Sequence, residues 1–133
     1  MRRAAAGATI LFLAACGTAS PDLFEIRRTG GDRAANLTLV VSDGGRVTCN
    51  GAEHSLDADR LLRARELARE IEQPAELGIE LPPGPRAVLR YRVRLEAGVV
   101  AFSDTSRGSP PVFKRLAGFV HDVAERVCGI VRP

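Results

Sequence analysis

Two histidines, His54 and His121, are the obvious candidates for proton transfer in this chain. A serine–histidine–aspartate relay could be written with Ser103 or Ser109 as nucleophile, His121 as base and Asp104 as acid. The Gly-x-Ser-x-Gly turn that exposes the nucleophile of many hydrolases does not occur in the sequence. We therefore predict that both histidines lie at the surface and that the protein is not an enzyme.

The sequence offers few candidate ligands for a metal ion. Asp57 and Asp59 are spaced like part of a calcium loop, but the remaining ligands of such a loop do not follow. Acidic residues are also favoured at the start of a helix, where they interact with the helix dipole. Two distant histidines and a few distant cysteines do not supply a zinc site. We predict no metal and no cofactor.

An arginine row is the most distinctive charged feature. Arg90, Arg92 and Arg94 alternate with apolar residues, so they project from one face of a strand. Such a row could contact anionic lipid headgroups or an acidic protein partner. The alternative is a solvated strand face in an arginine-rich sequence.

Glycine-rich turns are the second candidate for binding. Gly30, Gly31 and Asp32 follow the first predicted strand, and Asp43-Gly44-Gly45 follows the second. Exposed loops on a rigid sheet commonly carry binding residues. Hairpins also need glycine for their turn geometry, so this reading has a purely structural alternative.

The elements that must position these residues follow from the apolar pattern. Alternation with a period of two predicts strands, and the apolar stripes after Asp57 and Pro110 predict amphipathic helices. Pro74 is expected to end the first helix, and residues 77–85 are expected to form an irregular connector. The predicted strands are 23–28, 37–41, 46–50, 88–95 and 99–103, and the predicted helices are 58–72 and 110–128.

The order β-β-β-α-β-β-α predicts an α+β fold. Strand alternation requires a sheet with one buried face, and two helices can cover that face. We therefore expect a two-layer sandwich of an antiparallel sheet of about five strands with both helices on one face. With 133 residues, 45% hydrophobic and 26% charged, the chain suits one globular domain, which we place at residues 22–133.

The N-terminus resembles a bacterial lipoprotein signal. Arg2 and Arg3 precede an apolar run that ends in Leu13-Ala14-Ala15-Cys16. The resemblance implies a signal peptide at residues 1–15, lipid on Cys16, a tether at residues 16–21, and a location on the extracytoplasmic face of the cell membrane. The alternative is an ordinary signal peptide with a chance cysteine. Without Arg2 and Arg3 the chain is nearly neutral, which argues against nucleic-acid binding.

The predicted pairing of the two remaining cysteines depends on this resemblance. If Cys16 carries lipid, Cys49 and Cys128 are an even pair in an oxidising compartment, and we predict a disulfide between them. It would close a loop of roughly 80 residues, a stabilisation of about 4 kcal/mol. The alternative is two buried free thiols.

Two further resemblances concern the domain itself. Its layout resembles the emfourins, inhibitors of thermolysin-like metalloproteases, on the residues Arg28-Thr29-Gly30-Gly31, Tyr91-Arg92-Val93, Phe102-Ser103-Asp104 and Leu116. In that family the loop after the first strand meets the protease, which implies a role for Gly30, Gly31 and Asp32. The segment from Leu37 through Cys49 and Gly51 to His54 is similar to the start of subtilisin-inhibitor-like proteins.

These observations predict a lipid-anchored extracytoplasmic binding module, of the protease-inhibitor kind and without catalysis. The alternative is an accessory or structural envelope lipoprotein that binds a small ligand or a partner in a membrane complex. We expect a monomer attached to the membrane through lipid on Cys16, with a protease as the candidate protein partner and no nucleic acid.

Overall fold

The computed structural model describes residues 22–130, which form one antiparallel sheet and two helices. The order of strands across the sheet is β4-β3-β2-β1-β5-β6, so the first strand of the chain lies inside the sheet. The strands are β1 (Asp22–Gly30), β2 (Leu37–Ser42), β3 (Arg46–Cys49), β4 (Ala52–Ser55), β5 (Leu89–Leu95) and β6 (Gly98–Ser103), and the helices are α1 (Ala58–Glu76) and α2 (Pro111–Arg126).

Both helices pack on one face of the sheet, which confirms the predicted α+β sandwich. Alternate residues of the strands point into this interface, while the residues between them face solvent on the other side. An aromatic stack joins the two layers, because the Phe102 ring lies 4.6 Å from that of Phe113 in α2 and 5.0 Å from that of Tyr91. The largest fully buried side chains include Phe24, Phe113, Ile26, Leu39, Ile71 and Leu116.

The sheet has six strands rather than the expected five. The additional strand is β4, which pairs with β3 through a two-residue turn at Asn50 and Gly51. Both turn residues have positive φ angles, +50° and +87°, as the tight hairpin turn requires. The residues of β4 show no apolar alternation because this short edge strand is mostly exposed.

Helix α1 does not end at Pro74, as the sequence suggested, but continues to Glu76. Pro74 lies in the last turn, so its missing N–H removes one hydrogen bond near the helix end rather than breaking the interior. The following segment also differs from the expected irregular connector. Ile79 and Leu81 bond to Ala101 of β6 on the edge of the sheet, through backbone contacts of 3.0 and 2.8 Å.

Two ion pairs join the helices on their solvent side. Arg60 donates to the Asp122 carboxylate through Nε, at 2.8 Å, and Arg115 contacts Glu70 with both terminal nitrogens. These contacts raise the pKa of Arg60 and Arg115, and Arg115 lowers the pKa of Glu70. The Arg60–Asp122 pair is part-buried and the Arg115–Glu70 pair is more exposed, and together they link α1 to α2 while adding modest stability.

Cys49 and Cys128 form the predicted disulfide. Their Cα atoms are 5.9 Å apart, and the bond connects the end of β3 to the segment just after α2. Cys49 is buried in the core next to the sheet's inner face. The disulfide therefore ties the helical layer to the sheet.

Neither helix in the described part of the chain combines the length and apolar character that a membrane span needs.

Candidate functional site

The loop after β1, residues 31–36, is exposed but held by its own hydrogen bonds. Asp32 accepts a hydrogen bond from the backbone N–H of Ala34 at 3.1 Å and caps a short 3-10 helix, Arg33–Ala35. Asn36 accepts one from the Gly30 N–H at 3.3 Å. The side chains of Asp32 and Asn36 thus stiffen both ends of the 31–36 loop, an arrangement suited to presenting a fixed surface.

The two glycines of this segment have different roles. A Cβ atom on Gly30 would lie 2.7 Å from the Ala35 Cβ and 3.0 Å from the Val88 carbonyl oxygen, so close packing requires glycine there. A Cβ atom on Gly31 would meet no atom within 4 Å. Gly30 therefore allows close packing between the end of β1, Ala35 and Val88, and Gly31 is the position at which a partner could approach the backbone.

A cleft of about 210 Å³ opens beside the 31–36 loop, at the end of the sheet where β1 finishes and β5 begins. We call it the end cleft; its walls are formed by the loop, Val88, Leu89, the second half of α2 and Ile130. The lining is mostly apolar, and the Val88 side chain at its mouth is 66% exposed. Exposed apolar surface beside a cavity is typical of a place where another molecule binds.

Four charged or polar side chains border the end cleft, namely Arg28, Asp32, His121 and Glu125. Arg28 is 8% exposed and donates from Nε to the Ala35 carbonyl at 2.8 Å, so it supports the loop from the core side. The His121 Nε2 atom lies 3.4 Å from a carboxylate oxygen of Glu125. No buried side-chain nitrogen or oxygen between residues 22 and 130 lacks a hydrogen-bond partner. Binding in the end cleft would therefore rely on its apolar walls, with His121 and Glu125 at the margin.

The residues of the conceivable catalytic relay have separate structural tasks. Ser103 is buried, and its Oγ accepts hydrogen bonds from the backbone N–H groups of Gly84 and Thr105. The Asp104 carboxylate accepts from the backbone of Val88 and Leu89. Ser103 and Asp104 thus organise loops at the start of β5, and neither forms a hydrogen bond with His121 in the described part of the chain. Within residues 22–130 no cluster of three or more His, Cys, Asp or Glu side chains could hold a metal ion.

The arginine row lies on the solvent face of the sheet, opposite the helices. Arg94 is paired with Glu25 at 2.7 Å, and Arg92 is paired with Glu80 at 3.1 Å. No ion pair links Arg90 to any residue in the described part of the chain. This row and the 31–36 loop are therefore two separate candidate surfaces, one on the open face and one at the end of the sandwich.

Sequence reasoning found the loop but missed the end cleft. Its walls come from four segments that are distant along the chain, and no pattern in the sequence brings them together. Cys16, the predicted lipid attachment residue, lies outside the described residues.

No protein-family model matches the chain, and no curated protein sequence shows a significant match to it.

Proposed function

We propose that this protein is a lipid-anchored extracytoplasmic module that binds another protein through the 31–36 loop and the end cleft, and that the partner is a protease. In this proposal the module acts by occupying the partner's surface and carries out no chemistry of its own. The end cleft would receive an apolar side chain, and the loop backbone at Gly31 would contact the partner directly.

The single observation that carries the proposal is the fixed loop beside an apolar cavity. Asp32 and Asn36 restrict the loop through hydrogen bonds to its backbone, which limits the entropy lost on binding. The cleft volume of about 210 Å³ is below the range of roughly 300–1,000 Å³ typical of drug-sized ligands. This size favours one side chain of a protein over a larger free ligand.

The proposed location draws support from the disulfide. Disulfides persist in oxidising compartments such as the periplasm or the cell exterior. Together with the sequence Leu13-Ala14-Ala15-Cys16, the Cys49–Cys128 bond favours export and anchoring. Replacement of the attachment residue, Cys16→Ala, should move the protein from the membrane fraction to the aqueous fraction when the membranes are washed at high salt, which screens binding by surface charge, and unchanged retention after that wash would contradict the anchor.

The binding role is tested with proteases and a matched pair of variants. We would measure inhibition of a thermolysin-type metalloprotease and a subtilisin-type serine protease by the unlipidated chain, residues 16–133 with Cys16→Ser. Gly31→Trp should abolish inhibition, because the added ring projects from the loop into open space. Gly118→Trp on α2 is the control, since a Cβ there also meets nothing within 4 Å but lies away from the loop.

Inhibition that both variants retain would mean that the loop is not the contact surface. If neither protease is inhibited, the protease is removed from the proposal as the partner.

The second candidate, an accessory lipoprotein that binds a small ligand, is favoured by the apolar lining of the end cleft. It predicts that a small apolar ligand raises the thermal midpoint and that Val88→Trp, at the mouth, removes this effect.

A further inference from the structure

The solvent face of the sheet carries a cluster of four arginines that its acidic neighbours do not neutralise. Arg27 and Arg94 share a single carboxylate, that of Glu25, at 3.0 and 2.7 Å. Arg92 contacts Glu80, and Arg90 has no ion pair with a described residue. We call this set the arginine patch; its members are Arg27, Arg90, Arg92 and Arg94.

The strand register brings like charges face to face within the patch. Arg27 of β1 and Arg92 of β5 are directly opposed partners in the sheet. Like charges in this position destabilise a strand pair, by an amount comparable to a favourable cross-strand contact. Their side chains are exposed by 64% and 59%, so the guanidinium groups are accessible to an external anion. An external anion would therefore relieve repulsion that the fold itself leaves in place.

An apolar depression lies within reach of the same arginines. Its surface includes Leu81, Pro83 and Ala101, and Arg27, Arg90 and Arg92 border it. The lining is almost entirely apolar, in contrast to the charged groups around it. A surface with an apolar floor and a cationic rim matches a molecule that carries both an anionic group and a hydrocarbon region.

We propose that the arginine patch binds the surface of a membrane that contains anionic phospholipids. The setting rests on the proposed lipid anchor, because Asp22 is six positions after Cys16 and a chain of that length spans at most about 20 Å. The open face of the sheet lies against the headgroups, the helical layer faces away, and the end cleft opens at the end of the sandwich between them. The patch thus orients a domain that the lipid alone would only tether.

Vesicle binding of the unlipidated chain, residues 16–133 with Cys16→Ser, tests the patch without any contribution from the lipid. The probes are vesicles of phosphatidylcholine alone and vesicles of equal parts phosphatidylglycerol and phosphatidylcholine. The chain should bind the anionic vesicles and not the neutral ones, and added salt should weaken binding by screening. Co-sedimentation gives the bound fraction, and circular dichroism confirms that each variant is folded.

A charge-matched pair of triple variants assigns the binding to this face. Replacing Arg90, Arg92 and Arg94 with Gln should weaken binding to anionic vesicles by about tenfold to a hundredfold. Replacing Arg63, Arg69 and Arg126 on the helices with Gln makes the same change in net charge and should alter binding by less than about threefold.

The single variant Arg90→Gln removes no described ion pair, so it tests the patch without disturbing the fold. It should weaken binding by about fivefold, in line with one cationic contact near an anionic surface. Equal losses in the two triple variants, or no binding to anionic vesicles, would overturn the proposal. Neither outcome bears on protease inhibition or on release by Cys16→Ala, so failure of the patch and failure of the proposed function are distinguishable.

Discussion

Reduction of the Cys49–Cys128 disulfide should lower the stability of the domain by a predictable amount. The cysteines are 79 residues apart, so the bond closes a loop that includes β4, α1, β5, β6 and α2. A cross-link of that length restricts the unfolded chain and corresponds to about 4.5 kcal/mol at 25 °C. For a domain of about 110 residues the unfolding entropy converts this to a fall of about 20 °C in Tm.

The assay is urea unfolding of the unlipidated chain, residues 16–133 with Cys16→Ser, followed by circular dichroism with and without reductant. In that chain Cys49 and Cys128 are the remaining cysteines. The midpoint should fall on reduction. The dependence of the unfolding free energy on urea should become steeper, because an unfolded chain without the cross-link exposes more surface.

A double variant, Cys49→Ala with Cys128→Ala, separates the disulfide from other effects of the reductant. Its unfolding should be the same with and without reductant. A loss below about 1 kcal/mol on reduction of the parent chain would refute the loop-closure reasoning, since the calculated value is about four times larger. A response of the double variant to reductant would show that the effect does not come from this bond.

Three further predictions concern packing and pH. Gly30→Ala should lower the free energy of unfolding by about 1–3 kcal/mol, because its Cβ would meet that of Ala35 at 2.7 Å, while Gly31→Ala should leave thermal unfolding nearly unchanged. Phe113→Ala should lower the unfolding free energy by about 3–5 kcal/mol, measured in urea, because the ring is fully buried. Folding lowers the pKa of Glu70 through the Arg115 side chain, and that of Asp57 through the Arg60 backbone N–H. Their contribution to stability is therefore complete above about pH 5 and is lost as the pH falls through the lowered folded-state pKa values, so Tm should decline in acid and Glu70→Gln should reduce that decline.

The fold was predictable where the sequence repeats a simple pattern. Strand β5 and helix α2 each bury one side against the other layer. Their apolar residues therefore recur with the period of a strand or a helix, which the sequence shows directly. Strand β4 was missed because its exposed residues need no apolar alternation. The Asn50-Gly51 pair before it was the available signal, since this dipeptide favours a tight hairpin turn.

The candidate sites were predictable to different degrees. The outward direction of Arg90, Arg92 and Arg94 follows from the period of the strand. Their pairing with Glu25 and Glu80 does not, because those residues come from distant segments. The end cleft depends in the same way on how α2 crosses the end of the sheet. The different roles of Gly30 and Gly31 also required coordinates, because the Ala35 side chain approaches one glycine and not the other.

The interior position of β1 constrains the order in which the chain can fold. Strands β2, β3 and β4 are joined by short turns, so they can pair as soon as each has been synthesised. Strand β1 needs β5 on its other side, and their paired residues, such as Ile26 and Val93, are separated by more than half the chain. Such long-range pairing slows folding. We therefore expect the chain to complete its sheet only after β5 and β6 have been synthesised, with the disulfide closing later still because Cys128 follows both strands.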